Sequence, residues 1–140
     1  MADGVKIEIV SPEQLLVSET AQSVTVPGSD GYFTLLGDHA PLMTTLKPGF
    51  ITAVTAQGSQ VFFVRGGFAD VAPGGLTILA EQAMPISQFD PNSIDADIEA
   101  AELALAAAST IEEKSAATEV VDAWRNLKLE AVQAVGATTH

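Results

Sequence analysis

The chain of 140 residues contains no cysteine. That excludes a disulfide framework, a zinc–thiolate site and a cysteine nucleophile, and it suits a reducing compartment. Bases are also scarce. Six Lys and Arg stand against 18 Asp and Glu, giving a formal charge of -12. Affinity for a phosphate backbone comes mainly from Lys and Arg, so the composition argues against nucleic acid, and against direct docking on anionic lipid. No apolar run approaches the roughly 20 residues that a membrane helix needs. The start, MADGVKIEIV, has no basic region followed by an apolar core, so no signal peptide is expected. The expectation is a soluble protein, or one held at a membrane through another protein without inserting into it. The last absence is local. Neither glycine nor proline occurs between Asn92 and Val135, although both are frequent before it.

What is present falls into two parts. Lys6-Ile7-Glu8-Ile9-Val10 alternates polar and apolar, the period of a half-buried strand. Ser11-Pro12-Glu13 reads as a turn, residues 15–17 as a second strand and 21–26 as a third. Short apolar runs follow at 32–35, 42–46, 50–56, 61–64, 68–71 and 76–80, separated by Gly and Pro turns. The spacing predicts a β-sandwich or barrel of about nine or ten strands over residues 1–84. Phe62, Phe63 and Phe68 read as core, with the surface near Gly66-Gly67-Phe68 as the place where apolar area turns to a partner instead.

From Ala83 the composition changes, and Pro85 and Pro91 mark a linker over 85–91. Residues 92–140 are rich in Ala, Glu and Leu. Asn92 or Ser93 is a plausible N-cap, and Ile94, Ile98, Ala101, Leu105 and Ala108 recur at steps of 4, 3, 4 and 3, one face of a helix. Ser109-x-x-Glu112 has capping-box spacing, so a turn and restart near 108–111 are expected. A second face runs through Ala117, Val120, Trp124, Leu127, Ala131 and Val135, with Gly136 as C-cap. This reads as an antiparallel helical hairpin; one long helix is the alternative. The acids concentrate here: 10 against 3 bases over 89–140, but 8 against 3 over 1–88.

Residues 27–49, PGSDGYFTLLGDHAPLMTTLKPG, are the most punctuated stretch, with turns every few residues around short apolar runs. The corner Asp38-His39-Ala40-Pro41 sets a charged and a titratable residue at a bend between two strands. Nothing there resembles a nucleophile elbow or a phosphate loop, and neighbouring residues on a bend point apart, so it reads as a shaped docking surface rather than a catalytic dyad. His39 stays open between a ring bonded to a turn carbonyl and a docking residue; a metal site is disfavoured because His140 is the only other histidine. Arg65 reads as a solvated surface residue, with an ion pair as the alternative.

These motifs resemble a known family. PG-x-x-G, an apolar run, HAPL and KPG, followed by Gly66-Gly67-Phe68-Ala69-Asp70-Val71 and Thr77-Ile78-Leu79-Ala80-Glu81-Gln82-Ala83, are similar to the signature of the epsilon subunit of rotary ATP synthases. The resemblance covers roughly residues 5–83. It implies a non-catalytic rotor subunit without cofactor or metal, bound to the gamma subunit and to the ring of c subunits, with the alpha and beta subunits within reach of the hairpin. It implies the cytoplasmic face of a bacterial inner membrane, with a plastid origin as the alternative. It places Ser29, Asp30, Gly31, Tyr32, His39, Ala40, Pro41 and Leu42 near the c ring, and sets one side of the sandwich against gamma.

Some members of the family bind ATP through a segment resembling Ile/Leu-Asp-x-x-Arg-Ala. Here the stretch is Phe89-Asp90-Pro91-Asn92-Ser93-Ile94: the Asp is present, but Ser93 replaces the Arg and Pro91 intervenes. Without the guanidinium fork, phosphate loses its best donor, so weak or absent ATP binding is expected. In some members the last helix carries bases that inhibit ATP hydrolysis. Residues 110–140 hold only Lys114, Arg125 and Lys128 beside five acids, so a weak or absent inhibitor is expected. A stand-alone nucleotide-sensing module is the competing reading.

Overall fold

One long strand organises the first part of the molecule. The structure, a computed structural model, describes residues 4–37 and 40–138, which divide into two units with the boundary between Ile86 and Ser87. The first unit holds β1 (Val5–Val10), β2 (Leu15–Ala21), β3 (Ser23–Gly28), β4 (Gly31–Leu35), β5 (Leu42–Thr45), β6 (Gly49–Thr55), β7 (Gly58–Ala72) and β8 (Gly75–Pro85). They pair in the order β2-β1-β8-β7-β6-β3-β4, with β5 also on β7. The first half of β7 pairs with β6, from Thr55↔Gly58 to Gly49↔Val64. Its second half pairs with β5, from Thr45↔Phe68 to Leu42↔Val71. β8 runs antiparallel along both halves. β7 and β8 thus pass from one layer to the other, and the sheet folds over on itself as a sandwich.

The bend sits at Gly66 and Gly67, whose φ angles are 70° and 109°. Both lie where L side chains are strained, and a Cβ on Gly67 would fall 1.9 Å from the Leu79 carbonyl oxygen. The two glycines bend the strand without ending it, because pairing with β8 keeps one register on either side. That is why eight strands form where the sequence suggested nine or ten: the runs at 61–64 and 68–71 are one strand of 15 residues. A bridge between Gly28 and Leu46, with the Lys47 N–H donating to the Pro27 carbonyl at 2.9 Å, joins the end of β5 to β3.

The core between the layers follows the period of two. Val5, Ile7 and Ile9 of β1, Val24 and Val26 of β3, Ile51 and Ala53 of β6, and Ile78 of β8 are fully buried. Each buried Val or Ile contributes about 1.5–3 kcal/mol relative to exposure. Phe62 and Phe63 are buried as expected, and Phe63 meets Phe50 edge to face at 5.8 Å. The Arg65 guanidinium lies 5.8 Å from the Phe63 ring centroid, a cation–π contact, so Arg65 is half-buried rather than fully solvated. Phe68 departs from expectation: it is 50% exposed.

A 3-10 turn at Ile86–Gln88 spans the boundary, and the second unit continues with a 3-10 turn at Pro91–Ile94, α1 (Asp95–Ala107) and α2 (Ile111–Thr138). The first turn of α1 carries Asp95 and Asp97, which suits the positive end of its dipole. Its N-cap is Ile94, without a side-chain bond, and not Asn92 or Ser93. The chain breaks at Ala108, in an extended conformation, so the hairpin forms and not one long helix. The restart is capped one residue later than Ser109-x-x-Glu112 suggested. Thr110 Oγ1 accepts from the Glu113 N–H at 3.0 Å, and Glu113 Oε2 accepts from the Ser109 N–H at 3.2 Å.

Ile94, Ala101, Val121, Leu127 and Ala131 are buried. Val121 takes the inner position that the pattern gave to Val120, which is 48% exposed, and Trp124 is half-buried. α2 continues through Gly136 instead of stopping there. Among the described residues no helix is long and apolar enough to cross a membrane.

Candidate functional site

The turn between β3 and β4 carries Ser29, Asp30 and Gly31. It is fastened to β5: the Ser29 N–H donates to Thr44 Oγ1 at 3.3 Å, and Ser29 Oγ shares a 3.0 Å hydrogen bond with the same hydroxyl. The fold therefore brings this turn beside the strand that begins at Leu42. Asp30, Gly31, Ala40, Pro41 and Leu42 are exposed. Tyr32 is 47% exposed, but its phenol oxygen accepts from the Phe50 N–H at 3.1 Å. A Cβ on Gly49 would lie 2.6 Å from that oxygen, so glycine there lets the ring lie close to the backbone. Tyr32 thus offers a ring edge held from behind, not a swinging side chain. Asp38 and His39 lie outside the described residues, so the readings of that corner rest on sequence.

A second surface was only hinted at by the sequence. On the outward side of one layer, register aligns Thr45 of β5, Phe68 of β7, Leu79 of β8, Val10 of β1 and Leu15 of β2. Phe68, Leu79 and Leu15 are 50%, 51% and 55% exposed, and Met43, two residues along β5 from Thr45, is 67% exposed. Alternation alone does not find this row, because the Gly66-Gly67 bend decides which way the second half of β7 faces. The next row begins with Met43 and is otherwise polar, running Asp70, Thr77, Glu8 and Ser18. On the other flank Glu81 of β8 is exposed, and its carboxylate lies over Gly66.

The segment that would carry nucleotide does other work. Asp90 caps the 3-10 turn after it, with Oδ1 accepting from the Asn92 N–H at 2.9 Å and the Asp90 carbonyl accepting from the Ser93 N–H at 2.9 Å. Phe89 is buried and Ser93 exposed. In the hairpin, Arg125 pairs with Glu102 at 2.5 Å and Lys128 pairs with Asp95. Two of the three bases of the hairpin thus join α2 to α1. Among the described residues no group of three His, Cys, Asp or Glu is placed to hold a metal ion.

The described residues thus form an eight-stranded sandwich with an outward apolar row, followed by a helical pair. Residues 4–86 match the family model described as the beta-sandwich domain of the ATP synthase Delta/Epsilon chain. The ATP synthase epsilon chain of Brucella anthropi is 46% identical over 118 residues, 84% of this chain and 87% of that one. The chain belongs to the ATP synthase epsilon-chain family. The epsilon chain of Parvibaculum lavamentivorans is 40% identical over 130 residues, 91% of this chain and 98% of its own length. The similarity to these epsilon chains therefore extends into the helical unit. Among solved structures, a chain of the Euglena gracilis mitochondrial ATP synthase (OSCP, F1 and c ring) superposes with a TM-score of 0.64 at 18% identity, over 98% of this chain and 82% of that one. One from the Tetrahymena thermophila central stalk and c ring gives 0.59 at 14% identity, over 92% and 96%. At those identities the likeness is one of fold. The epsilon family read from residues 27–49 and 66–83 is the family found.

Proposed function

We propose that this chain is a non-catalytic rotor subunit that joins a gamma-type stalk subunit to a ring of c subunits, so that proton-driven ring rotation turns the stalk and drives ATP synthesis in the alpha and beta subunits. The observation that carries the reading is the outward row of Phe68, Leu79, Val10 and Leu15, an apolar surface on a sheet whose inner side is fully packed. A rotor part must pass torque without deforming, and a close-packed core is stiff. The row is the face assigned to gamma. Ser29, Asp30, Gly31, Tyr32, Ala40, Pro41 and Leu42, with His39, are assigned to the ring.

The sandwich of residues 1–84 is the coupling domain, 85–91 the connection and 92–140 a regulatory hairpin with little inhibitory power. The engagement of Arg125 and Lys128 within the hairpin supports the last point, since an acidic helix nearing an acidic partner is repelled. The site of action is the cytoplasmic face of a bacterial inner membrane, in keeping with the bacterial sources of the relatives. The test is reconstitution with the matching catalytic head, using the full chain and a version ending at Gln88. Both should copurify with gamma in the absence of nucleotide and give equal ATPase rates. A clear rise on truncation would refute the weak-brake reading, and failure to bind gamma would refute the rotor assignment.

A further inference from the structure

The acids that flank the apolar row describe the partner it fits. Successive strands lie about 4.8 Å apart, so the row from Phe68 to Leu15, across three gaps, is about 14 Å long. That is the length of nearly three turns of helix. Asp70 and Glu8 border the row on one side, two strands and about 10 Å apart, and Glu81 borders it on the other. Two exposed bases stand farther out, Lys6 two residues beyond Glu8 on β1 and Lys47 two residues beyond Thr45 on the Glu81 side. An apolar centre with carboxylates on both sides repels an acidic or evenly mixed surface and attracts a basic one.

We infer that this face takes an apolar stripe about 14 Å long on the stalk partner, bordered on both sides by Lys or Arg that meet Asp70, Glu8 and Glu81. This rests on the proposed gamma contact and adds its chemistry. The apolar row supplies the area that leaves water, so it governs the off-rate. The rim charges remain in contact with water, so they govern the on-rate and its dependence on salt. The chain's charge of -12 adds a long-range field of the same sign.

The experiment measures association and dissociation of the full chain with the purified gamma subunit of the same organism, at low and at physiological salt. Phe68→Ser and Leu79→Ser, each at an exposed position, should raise Kd about tenfold or more through the off-rate, while Phe68→Leu stays near the parent. Asp70→Lys combined with Glu8→Lys should lower the on-rate about tenfold at low salt and flatten its salt dependence. Thermal melts of each variant separate weakened binding from unfolding.

Unchanged binding by both folded Ser variants overturns the assignment of the row but leaves the rotor reading standing. Weakened binding by the Ser variants, with an unaltered salt slope in the charge-reversed variant, overturns the basic border. No binding by the parent chain overturns the rotor reading and this inference with it.

Discussion

Replacing Gly67 with alanine tests whether the β7 bend is what allows the sandwich to close. At φ 109° an alanine is strained by about 1–3 kcal/mol. Its Cβ would also sit 1.9 Å from the Leu79 carbonyl oxygen and 2.9 Å from Ala80 Cα, both backbone atoms that cannot rotate away. β8 must therefore shift by more than an ångström. That shift strains the paired backbone around Phe68↔Leu79 and the 2.9 Å bond from the Leu46 N–H to the Gly67 carbonyl, and each hydrogen bond lost removes about 0.5–1.5 kcal/mol. The total is about 3–5 kcal/mol, a large share of the 5–15 kcal/mol typical of a domain.

Gly58→Ala is the control. Its φ of 122° is equally unusual, but no atom lies within 4 Å of the added Cβ, so only the dihedral strain of about 1–3 kcal/mol applies. Chemical denaturation followed by far-UV circular dichroism should show Gly67→Ala losing at least about 2 kcal/mol more than Gly58→Ala, or failing to fold. Equal losses would mean that β8 yields easily and that steric closeness at the bend is irrelevant.

Three further outcomes are expected. Glu19 faces inward on the edge strand β2, paired with the buried Ile7, and its Oε1 is buried without a hydrogen-bond partner among the described residues. Glu19→Val should stabilise the sandwich by about 1 kcal/mol while promoting self-association, because an inward charge on an edge strand discourages pairing with other chains; denaturation and size-exclusion chromatography read the two effects. Glu130 is exposed, but partial desolvation of its carboxyl raises its pKa above the usual value, so its folded-state pKa exceeds the unfolded one. The stability tied to its protonation is present below the unfolded value of 4.5 and is lost as pH rises through the raised folded value. Glu130→Gln should therefore be slightly more stable than the parent at pH 7, with the gain vanishing below pH 4.5; a pH series of thermal melts checks the sign. A double-mutant cycle of Arg125→Ala and Glu102→Ala should give a coupling of about 0.2–1 kcal/mol that fades in high salt, since both side chains are about half exposed.

The inner half of the sandwich was legible because alternation holds wherever a strand is straight. Ile7, Ile9, Val24, Val26 and Ile78 are the residues that a period of two selects. It failed at Phe68, which follows a pair of glycines with positive φ and so stands on the outer face. Outward apolar residues such as Leu79 and Leu15 looked like ordinary strand residues, and only register across β7, β8, β1 and β2 aligns them into a surface. In the hairpin Val120 and Val121 lie three and four residues after Ala117, so the helical period alone did not choose between them, and Val121 is the one buried with Leu127 and Ala131. The turn residues 29–32 and 40–42 were assigned through motif likeness alone, and the structure adds the link that Thr44 makes between the turn and β5.

The segment at 89–94, compared above with the ATP-binding pattern of some family members, has a structural role of its own. Asp90 keeps its place in that pattern, but its carboxylate accepts a backbone N–H and caps a 3-10 turn, a role that needs neither an arginine at 93 nor a nucleotide. Arg125 and Lys128 likewise meet carboxylates on α1. Opening the hairpin would break both pairs and expose Val121, Leu127 and Ala131, which are buried in the closed form. Each ion pair is weak alone, but burial of the two larger side chains contributes about 1.5–3 kcal/mol apiece. An extended hairpin would then have to recover that energy from a partner surface while presenting the acids Glu112, Glu113, Glu119 and Asp122 to it. Closure is therefore the favoured state unless the partner is basic, which ties any braking action of this chain to the charge of the surface that its second helix would meet.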